Sequence, residues 1–581
     1  MERAVPSRGG SLGIDFRIGE WVVEPASGYI TSAATRRHLR SMLMDLLVLL
    51  AEHAGSAVSK DEILDRVWKS RFVGESALTR SIAELRQLLG DNERRPRYIE
   101  TLPKRGYRVI AAIVPGRQFA ENRLAVLPFD NLNHDPEQDY LADGIADLLT
   151  TELARIASLQ VISRQSVLHL KNSSKKVPEI GRDLHVEAIV EGSVLRAGER
   201  IRITAQLIRV EQEQHLWAES YECDLADLLT VQAKVARAIA EAIHATVTPA
   251  DLYRLEHRRA VNPEAQAAYL KARYHFAKAT MLDLQKGMAY LQSAIEQDPS
   301  YAPAYEGMAS IVGFLGLWGF IPHQEAYPRM KDFALKALDL DENLSEAHVV
   351  MAWVAWFDWD MAAFEQEIHR ALELNRNSVD AHIYYAMFLA TIHEDRAGSL
   401  AEVSRVLELD PLSPYGNSAA GWPLLLLRDY EWAIAQASRT LEMYPDAIHA
   451  LQVLGCAKCA QSRYEEAIAA FEKAAALSPD ATALGLLGQA YAQAGRTGEA
   501  RKLLNELLAK RQREYVPDLT FVFLYCGLGE MDQAFAWLQE CYQTREPRLL
   551  YLSTQPMFDP LRAEARFEKI LDRLGLRTRN G

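Results

Sequence analysis

Cysteines and long apolar runs are both scarce in this chain. No stretch approaches the roughly 18 consecutive apolar residues that a membrane-spanning helix requires, and residues 1–13 hold no apolar run of the signal-peptide kind. The 581 residues include five cysteines, a small and odd number that favours a reducing compartment over a disulfide framework. We therefore expect a cytoplasmic protein that has no membrane as a partner.

Positive charge is not in excess either. The 65 lysines and arginines face 78 aspartates and glutamates, so the formal net charge is -13. This balance argues against a chain that coats nucleic acid without discrimination. Residues 1–112, however, carry 18 basic against 14 acidic residues, or +4, and the remainder carries -17. A basic N-terminal part on an acidic body allows specific DNA contact and limits non-specific adhesion.

The sequence also lacks the common motifs of catalytic and metal sites. It contains no G-x-x-x-x-G-K-[ST] phosphate loop, no His or Cys spacing typical of zinc, and no nucleophile elbow. Asp139, Asp143 and Asp147 share one face of a predicted helix and could bind a cation, but a solvated acidic face is the favoured interpretation. We therefore predict no enzyme, no cofactor and no metal, with an unknown activity in residues 123–248 as an alternative.

The stretch from Glu75 to Ile110 is the most informative part of the sequence. Its apolar residues are spaced four, three and four apart, which places Leu78, Ile82, Leu85 and Leu89 on one face of a helix. Gly90 ends this helix, because glycine supports a left-handed C-terminal cap. The opposite face carries small or polar side chains, namely Ser76, Arg80, Ala83, Glu84 and Gln87.

A β-hairpin with a basic tip follows the helix. Tyr98–Thr101 and Tyr107–Ile110 are two predicted strands, and the turn between them contains Lys104 and Arg105. A helix with a small polar face followed by a basic hairpin is typical of a winged helix-turn-helix. In that fold one helix enters the DNA major groove while the hairpin contacts the backbone or the minor groove.

The residues around this helix resemble the effector domain of OmpR/PhoB-type transcriptional regulators. The matching motifs are Ser59-Lys60-Asp61-Glu62-Ile63-Leu64, Val67-Trp68, Leu85-Arg86, Leu89-Gly90-Asp91, Pro96-Arg97-Tyr98-Ile99 and Arg105-Gly106-Tyr107-Arg108. The resemblance implies double-stranded DNA as a partner. Trp68 is expected in the core against the recognition helix, with a DNA contact as the alternative. Together with the helix face, the resemblance predicts a DNA-binding set of Ser76, Thr79, Arg80, Ala83, Glu84, Gln87, Lys104, Arg105 and Arg108. Some relatives have a membrane helix just after this domain, but residues 109–114 are too short for one.

Residues 123–248 mix strand and helix patterns. Ala188–Arg196 and Arg200–Val210 alternate apolar and polar residues around Gly198, which predicts a hairpin, and Leu141–Ile156 is a predicted helix. The segments AVLPFDNL, DYLADGI, VISRQSV and HLWAESY resemble the N-terminal TolB-like domain of bacterial regulators. This resemblance implies an α+β domain.

From Pro263 onward the sequence is helical and repetitive. Similar helix ends recur with spacings of 43, 34, 35, 34 and 34 residues, at Pro299, Glu342, Arg376, Pro411, Pro445 and Pro479. A 34-residue period of paired helices is the signature of tetratricopeptide (TPR) repeats. The 43-residue interval contains a predicted insertion, Gly313–Pro328. Cys456 and Cys459 are expected in the helical core, and the aromatic patch Trp353–Trp359 is expected to pack in the core, with a ligand site as the alternative.

These patterns predict a multidomain chain that combines α+β and all-α folds. The expected boundaries are a disordered segment at 1–12, a winged-helix domain at 13–112, a TolB-like α+β domain at 123–248 and a TPR solenoid at 260–576. The predicted function is that of a one-component transcriptional regulator, because no receiver domain precedes the winged helix. The repeats are expected to bind a protein or peptide in their groove, or to form a homodimer. The alternative is a TPR scaffold whose winged helix contacts protein.

Overall fold

The protein folds as two compact units, Met1–Ala120 and Glu121–Gly581. The computed structural model describes residues 16–19, 21–24, 29–31, 36–53, 57–68, 75–92, 96–102, 105–111, 113–115, 122–171, 173–198, 200–249, 251, 261–276, 280–317, 319–478 and 481–576. The predicted disorder at residues 1–12 lies outside the described residues.

The first unit combines a small sheet with three helices and a hairpin. Its elements are β1 (Phe16–Ile18), β2 (Trp21–Glu24), β3 (Tyr29–Thr31), β4 (Arg36–His38), α1 (Ser41–Glu52), α2 (Lys60–Trp68), α3 (Glu75–Leu89), β5 (Ile99–Leu102), β6 (Gly106–Val109) and β7 (Ile113–Pro115). The sheet order is β4-β3-β2-β1-β7, and β5 and β6 form a separate hairpin. The apolar residues that follow the hairpin thus supply an edge strand of the N-terminal sheet.

Local signals in this unit act as the sequence predicts. The hydroxyl of Ser59 accepts a hydrogen bond from the Glu62 amide at 3.2 Å, which caps α2. Gly90 has φ +71° at the end of α3. Trp68 is buried with the apolar side chains of α1 and α3, so the core assignment of this tryptophan is confirmed.

The second unit begins with a mixed sheet covered by helices. Its elements are β8 (Arg123–Val126), β9 (Asp130–Asn131), α4 (Asp139–Ala154), β10 (Gln160–Val161), α5 (Arg164–Leu168), α6 (Val177–Leu184), β11 (Ala188–Ala197), β12 (Arg200–Arg209), β13 (Gln214–Asp224) and α7 (Leu228–Ala242). The strand order is β10-β8-β11-β12-β13, with β9 paired to β11. The helices α4 and α7 pack against the sheet in one hydrophobic core, and α5 and α6 pack against it in a second. The predicted hairpin β11–β12 is confirmed.

Helix pairs make up the rest of the second unit. They are α8 (Pro263–Phe276), α9 (Met281–Gln297), α10 (Ala302–Leu317), α11 (His323–Leu340), α12 (Ser345–Asp358), α13 (Met361–Leu374), α14 (Val379–Phe388), α15 (Arg396–Leu409), α16 (Pro414–Ala419), α17 (Gly421–Leu426), α18 (Tyr430–Met443), α19 (Ile448–Ala460), α20 (Tyr464–Leu477), α21 (Ala481–Gln493), α22 (Thr497–Arg511), α23 (Asp518–Leu528), α24 (Met531–Gln543) and α25 (Ala565–Leu574). Short 3-10 helices at Pro547–Tyr551 and Pro556–Ala563 precede α25.

The predicted repeat period matches these helices. The helices α9, α11, α13, α15, α18 and α20 each end two residues before the positions predicted from the recurring pattern. The predicted insertion Gly313–Pro328 lies where one helix pair meets, between α10 and α11. Most of it is helical, because α10 runs to Leu317 and α11 begins at His323.

The mixed sheet region packs against the helix pairs. The side-chain amide of Asn377 donates to the carbonyls of Ala154 and Leu159 at 2.7 and 3.1 Å. The carboxylate of Asp410 accepts from Ser166 at 2.6 Å and also from Ser163. Successive turns between the helix pairs therefore hold one end of the sheet region, which explains why both lie in one compact unit.

The acidic face predicted on α4 is wrong. Asp143 and Asp147 are buried rather than solvated. Lys171 binds Asp143 at 2.9 Å, and Arg164 and Arg273 bind Asp147 at 3.2 and 2.8 Å. Burial acts to raise the pKa of Asp147, but the paired cations Arg164 and Arg273 favour its charged carboxylate and together lower that pKa. Distant residues thus convert an apparent cation site into a set of internal ion pairs.

The two cysteines of α19 lie in the helical core. Cys456 and Cys459 are both buried, and burial raises the pKa of each thiol. Within the described part of the chain, no group of three or more His, Cys, Asp or Glu side chains is placed to hold a metal ion. The predicted core role of these cysteines is confirmed.

Candidate DNA-binding surface

The apolar face of α3 is anchored as its spacing predicts. Leu78, Ile82, Leu85 and Leu89 are each at most 1% exposed. Arg86, on the same helix, is also buried and donates to the Ile99 carbonyl and the Thr101 hydroxyl, both at 2.8 Å. This arginine ties the helix to the hairpin, so the two elements keep a fixed relation.

The N-terminal sheet holds the C-terminal end of α3. Arg37 donates to the Leu88 carbonyl at 2.6 Å, and the indole of Trp21 donates to the Leu89 carbonyl at 3.0 Å. The last carbonyls of a helix have no partner within the helix, and a cation near them is favoured by the helix dipole. Trp21 and Arg37 therefore fix the position of α3 from outside the helix.

Asp91 organises the connection from α3 to the hairpin. Its carboxylate accepts hydrogen bonds from the amides of Arg97, Tyr98 and Ile99 at 2.6, 3.2 and 2.8 Å. One side chain thereby satisfies the backbone at the start of β5. This contact gives a structural reason for the aspartate in the Leu89-Gly90-Asp91 motif.

The solvent side of α3 carries the predicted helix residues. Thr79, Arg80, Ala83 and Gln87 are exposed, and the side chain of Ser76 lies outside the described residues. Glu84 is partly exposed and forms an ion pair with Arg40, which precedes α1. Arg40 is not among the residues that the sequence predicted for this surface. The available signal was the basic run from Arg36 to Arg40 just before the first helix.

The hairpin presents Arg105 at its turn. Arg105 is exposed and its amide binds the Leu102 carbonyl at 2.9 Å, while Lys104 lies outside the described residues. Arg108 is partly exposed and is paired with Glu100 at 2.5 Å on the neighbouring strand. Arg105 and Arg108 therefore differ in their surroundings. Arg105 is exposed at the turn, whereas the charge of Arg108 is already balanced by Glu100 within the hairpin.

Gly106 is required at the base of the turn. Its φ of +113° lies in the left-handed region, and a Cβ at this position would come within 1.9 Å of the Val58 carbonyl oxygen. Val58 and Tyr107 form a pair of backbone hydrogen bonds at 2.9 and 3.0 Å. The hairpin is thus joined to the segment before α2 at a point where only glycine fits.

Three parts of the chain match known protein families. Residues 35–109 match the family described as transcriptional regulatory protein, C terminal. These residues form a winged-helix DNA-binding domain of the OmpR/PhoB type. Residues 458–519 match a tetratricopeptide repeat, and residues 120–239 match the second domain of HilA/YgeH-like transcriptional regulators. The chain therefore combines a regulator-type winged helix with a mixed sheet region and TPR repeats.

Curated relatives support the same assignment. The chain is 26% identical to the transcriptional regulator HilA of Salmonella typhimurium over 401 residues, which cover 67% of this chain and 69% of HilA. It is 43% identical to the transcriptional activator CadC of Escherichia coli over 99 residues, or 17% of this chain and 19% of CadC.

One relative carries a different kind of name. A Rhizobium meliloti protein named "Putative adenylate cyclase 3" is 35% identical over 246 residues. The match spans 42% of each chain, so this protein shares less than half of its length with that relative.

Among the helices in the described ranges of the chain, none combines the length and apolar character needed to cross a bilayer.

Proposed function

We propose that this protein is a cytoplasmic, non-catalytic transcriptional regulator that binds double-stranded DNA through α3 and the β5–β6 hairpin. The observation that carries the proposal is the exposed side of α3, held by Arg86, Arg37 and Trp21 in a domain of the regulator type. A helix fixed at both its apolar face and its C-terminal end can present side chains to a groove in one orientation.

The proposed contacts divide by chemistry. On α3 the proposed DNA-binding residues are Ser76, Thr79, Arg80, Ala83, Glu84 and Gln87. Glutamate can accept from a cytosine amino group, and arginine can bind guanine or a phosphate. On the hairpin, Lys104, Arg105 and Arg108 are proposed to contact phosphates, which set orientation and not sequence.

Arg40 extends this proposed surface beyond α3. Its guanidinium pairs with Glu84, and its side chain is 71% exposed. An unpaired glutamate would repel the DNA backbone, so Arg40 is proposed to balance that charge while remaining available to a phosphate. This role would place the residue before α1 beside the helix in the complex.

The remainder of the chain is proposed to control DNA binding. The sheet region at residues 123–248 is proposed to have a TolB-like fold, on the strength of its sequence motifs. The repeats are proposed to bind a protein or peptide partner or to bring two copies of the chain together. A homodimer would present two winged helices, and linked half-sites raise affinity through effective concentration.

Selection of genomic DNA fragments by the purified full-length protein tests this function. We expect enrichment of a small set of fragments, with an affinity that falls steeply as salt rises because bound counterions are released. The alternative, a TPR scaffold whose winged helix contacts protein, predicts no enriched fragment. Retention of all fragments with equal affinity would also contradict a sequence-specific regulator.

A second candidate is raised by the name of the Rhizobium meliloti relative. An adenylate cyclase assay on the full-length protein tests it directly. Within the described ranges, no group of three or more metal-ligating side chains is placed to hold a metal ion. We expect no turnover above the buffer control, and turnover that co-purifies with the protein would require an enzymatic role.

A further inference from the structure

The repeats contact a segment of their own chain. Residues 546–563, here the C-terminal segment, consist of two 3-10 helices joined by a short turn. They lie against α12, α19, α21 and α23, which are the first helices of four pairs; we call this side the first-helix face. In a repeat array each pair ordinarily contacts its neighbours. This segment instead touches helices that are far apart in the array.

Helix side chains donate to main-chain carbonyls of this segment and of the residue leading into it. The indole of Trp356 on α12 donates to the Pro547 carbonyl at 3.0 Å, although the residues are 191 positions apart. Gln489 on α21 is fully buried and donates to the Met557 carbonyl at 2.8 Å. His323, at the start of α11, contacts the Thr544 carbonyl at 2.6 Å. Side chains of three helices thus bind the main chain of the segment and of the residues just before it.

Apolar side chains of the C-terminal segment fill the same face. Those at most 2% exposed are Leu549, Leu550, Leu552, Met557, Phe558 and Leu561. The ring of Tyr551 lies 5.3 Å from Trp356, and the ring of Phe558 lies 5.2 Å from Phe523 of α23. The aromatic patch predicted near Trp356 is therefore part of the core, and part of that core comes from the C-terminal segment.

Charged groups fix the position of the segment at both ends. Arg428, which follows α17, donates two hydrogen bonds to the Asp559 carboxylate at 2.6 and 2.8 Å. At the other end Arg548 pairs with Glu546 at 2.7 Å and donates to the Thr482 hydroxyl at 3.0 Å. The two ends thus bind residues of different helix pairs.

We propose that the C-terminal segment is an internal ligand of the first-helix face. A partner peptide that binds there would compete with it. The partner class follows from the segment: a proline-containing peptide with closely spaced leucines or aromatic residues and an acidic residue after them. This inference rests on the proposed partner-binding role of the repeats and names its site.

Covalent connection explains why the internal ligand dominates at rest. The segment is joined to α24 on one side and to α25 on the other, so its effective concentration at the face is high. A partner of similar intrinsic affinity must therefore reach a free concentration above that effective concentration, or must bind after the segment has detached from the face. Contacts of the segment with Trp356, Arg428 and Gln489 are therefore the ones that set the threshold for partner binding.

Peptide binding by the full-length protein tests the proposal. The probe is a fluorescent peptide of residues 544–563, and a scrambled peptide is the specificity control. The loosened variant combines Trp356→Phe, Arg428→Ala and Gln489→Ala. The matched control combines Arg370→Ala and Arg501→Ala, which remove ion pairs to Glu373 and Glu530 away from the segment. Circular dichroism reports the fold, and the single variants Trp356→Phe and Arg428→Ala serve if the triple variant unfolds.

We expect the loosened variant to bind the peptide at least 10-fold more tightly than the wild type or the matched control. Hydrogen exchange should accelerate in residues 546–563 of that variant. Equal peptide affinity in all three proteins, equal binding of the scrambled peptide, or unchanged exchange would each overturn the proposal. DNA binding is measured on the same proteins, so that a failure of the proposed function is seen separately.

Discussion

Arg80 and Glu84 lie one turn apart on the solvent side of α3 and are expected to differ in effect. Arg80→Ala should weaken binding, whereas Glu84→Ala should change which sequences are preferred, because a carboxylate discriminates cytosine. A base-edge contact is worth roughly 1–3 kcal/mol. Fragment selection with each variant measures both effects. If both variants bind as the wild type does while remaining folded, α3 does not face DNA through these residues.

Glu306 on α10 is expected to make stability depend on pH. Its pKa is raised to about 7, chiefly by burial and also by the nearby Glu346, while Ser310 and Arg273 oppose the change. A carboxyl whose pKa is raised on folding binds more protons in the folded state between about pH 4.5 and 7. Its contribution to unfolding free energy therefore rises as pH falls through that window, by at most about 3 kcal/mol.

The variant Glu306→Gln isolates this contribution. Glutamine keeps a hydrogen-bond acceptor for Ser310 and cannot ionise, so the unfolding free energy of the variant should vary less between pH 5 and pH 8. Denaturant unfolding at the two pH values measures the difference. Glu296→Gln, an exposed position on α9, is the control and should leave the dependence unchanged. An identical pH dependence in wild type and Glu306→Gln would refute the expectation.

At the scale of the element, the hairpin is expected to contribute charge without sequence preference. Lys104→Ala and Arg105→Ala should each weaken binding by a similar factor on every DNA sequence. Each should also lower the slope of log affinity against log salt by about one unit. Titrations at several salt concentrations on two unrelated DNA fragments measure this. A change in sequence preference would mean that the hairpin tip reads bases.

Substitution at the base of the hairpin should destabilise the domain far more than substitution at its tip. Gly106→Val should destabilise the domain, because the left-handed backbone and the Val58 carbonyl leave no room for a side chain. Residues forced into such conformations cost about 1–3 kcal/mol each, and the steric contact adds to this. Thermal unfolding of the full-length protein should show the loss in the N-terminal unit. Gly90→Ala is the comparison, since φ there is also positive but a Cβ meets no atom within 4 Å, so the difference between the two variants reports the steric contact.

At the scale of the whole molecule, the second unit is expected to raise DNA affinity and to carry the response to a partner. A shortened chain of residues 1–120 comprises the first compact unit. It should bind the selected DNA more weakly than the full-length protein and should not respond to a peptide that binds the repeats. Affinity measurements on both proteins, with and without the peptide, provide the test. Equal affinity and equal response would assign the repeats another role.

Local patterns were sufficient for much of the fold and of the candidate surface. The spacing of Leu78, Ile82 and Leu85 predicts both the helix and its buried face, because one helix determines which side chains share a side. The repeat period likewise predicts the ends of six helices. Both predictions depend on spacing along the chain and not on contacts between distant residues.

Tertiary contacts decided what the local patterns could not. Asp147 was predicted to be solvated but pairs with Arg164 and Arg273. Glu84 pairs with Arg40, which precedes α1. Trp356 donates to the Pro547 carbonyl, 191 residues away. Periodicity places a side chain on a face of its own element and says nothing about which distant residue covers that face. The helices, hairpin and repeats were therefore readable in the sequence, whereas the internal ion pairs and the occupant of the repeats depend on the folded chain.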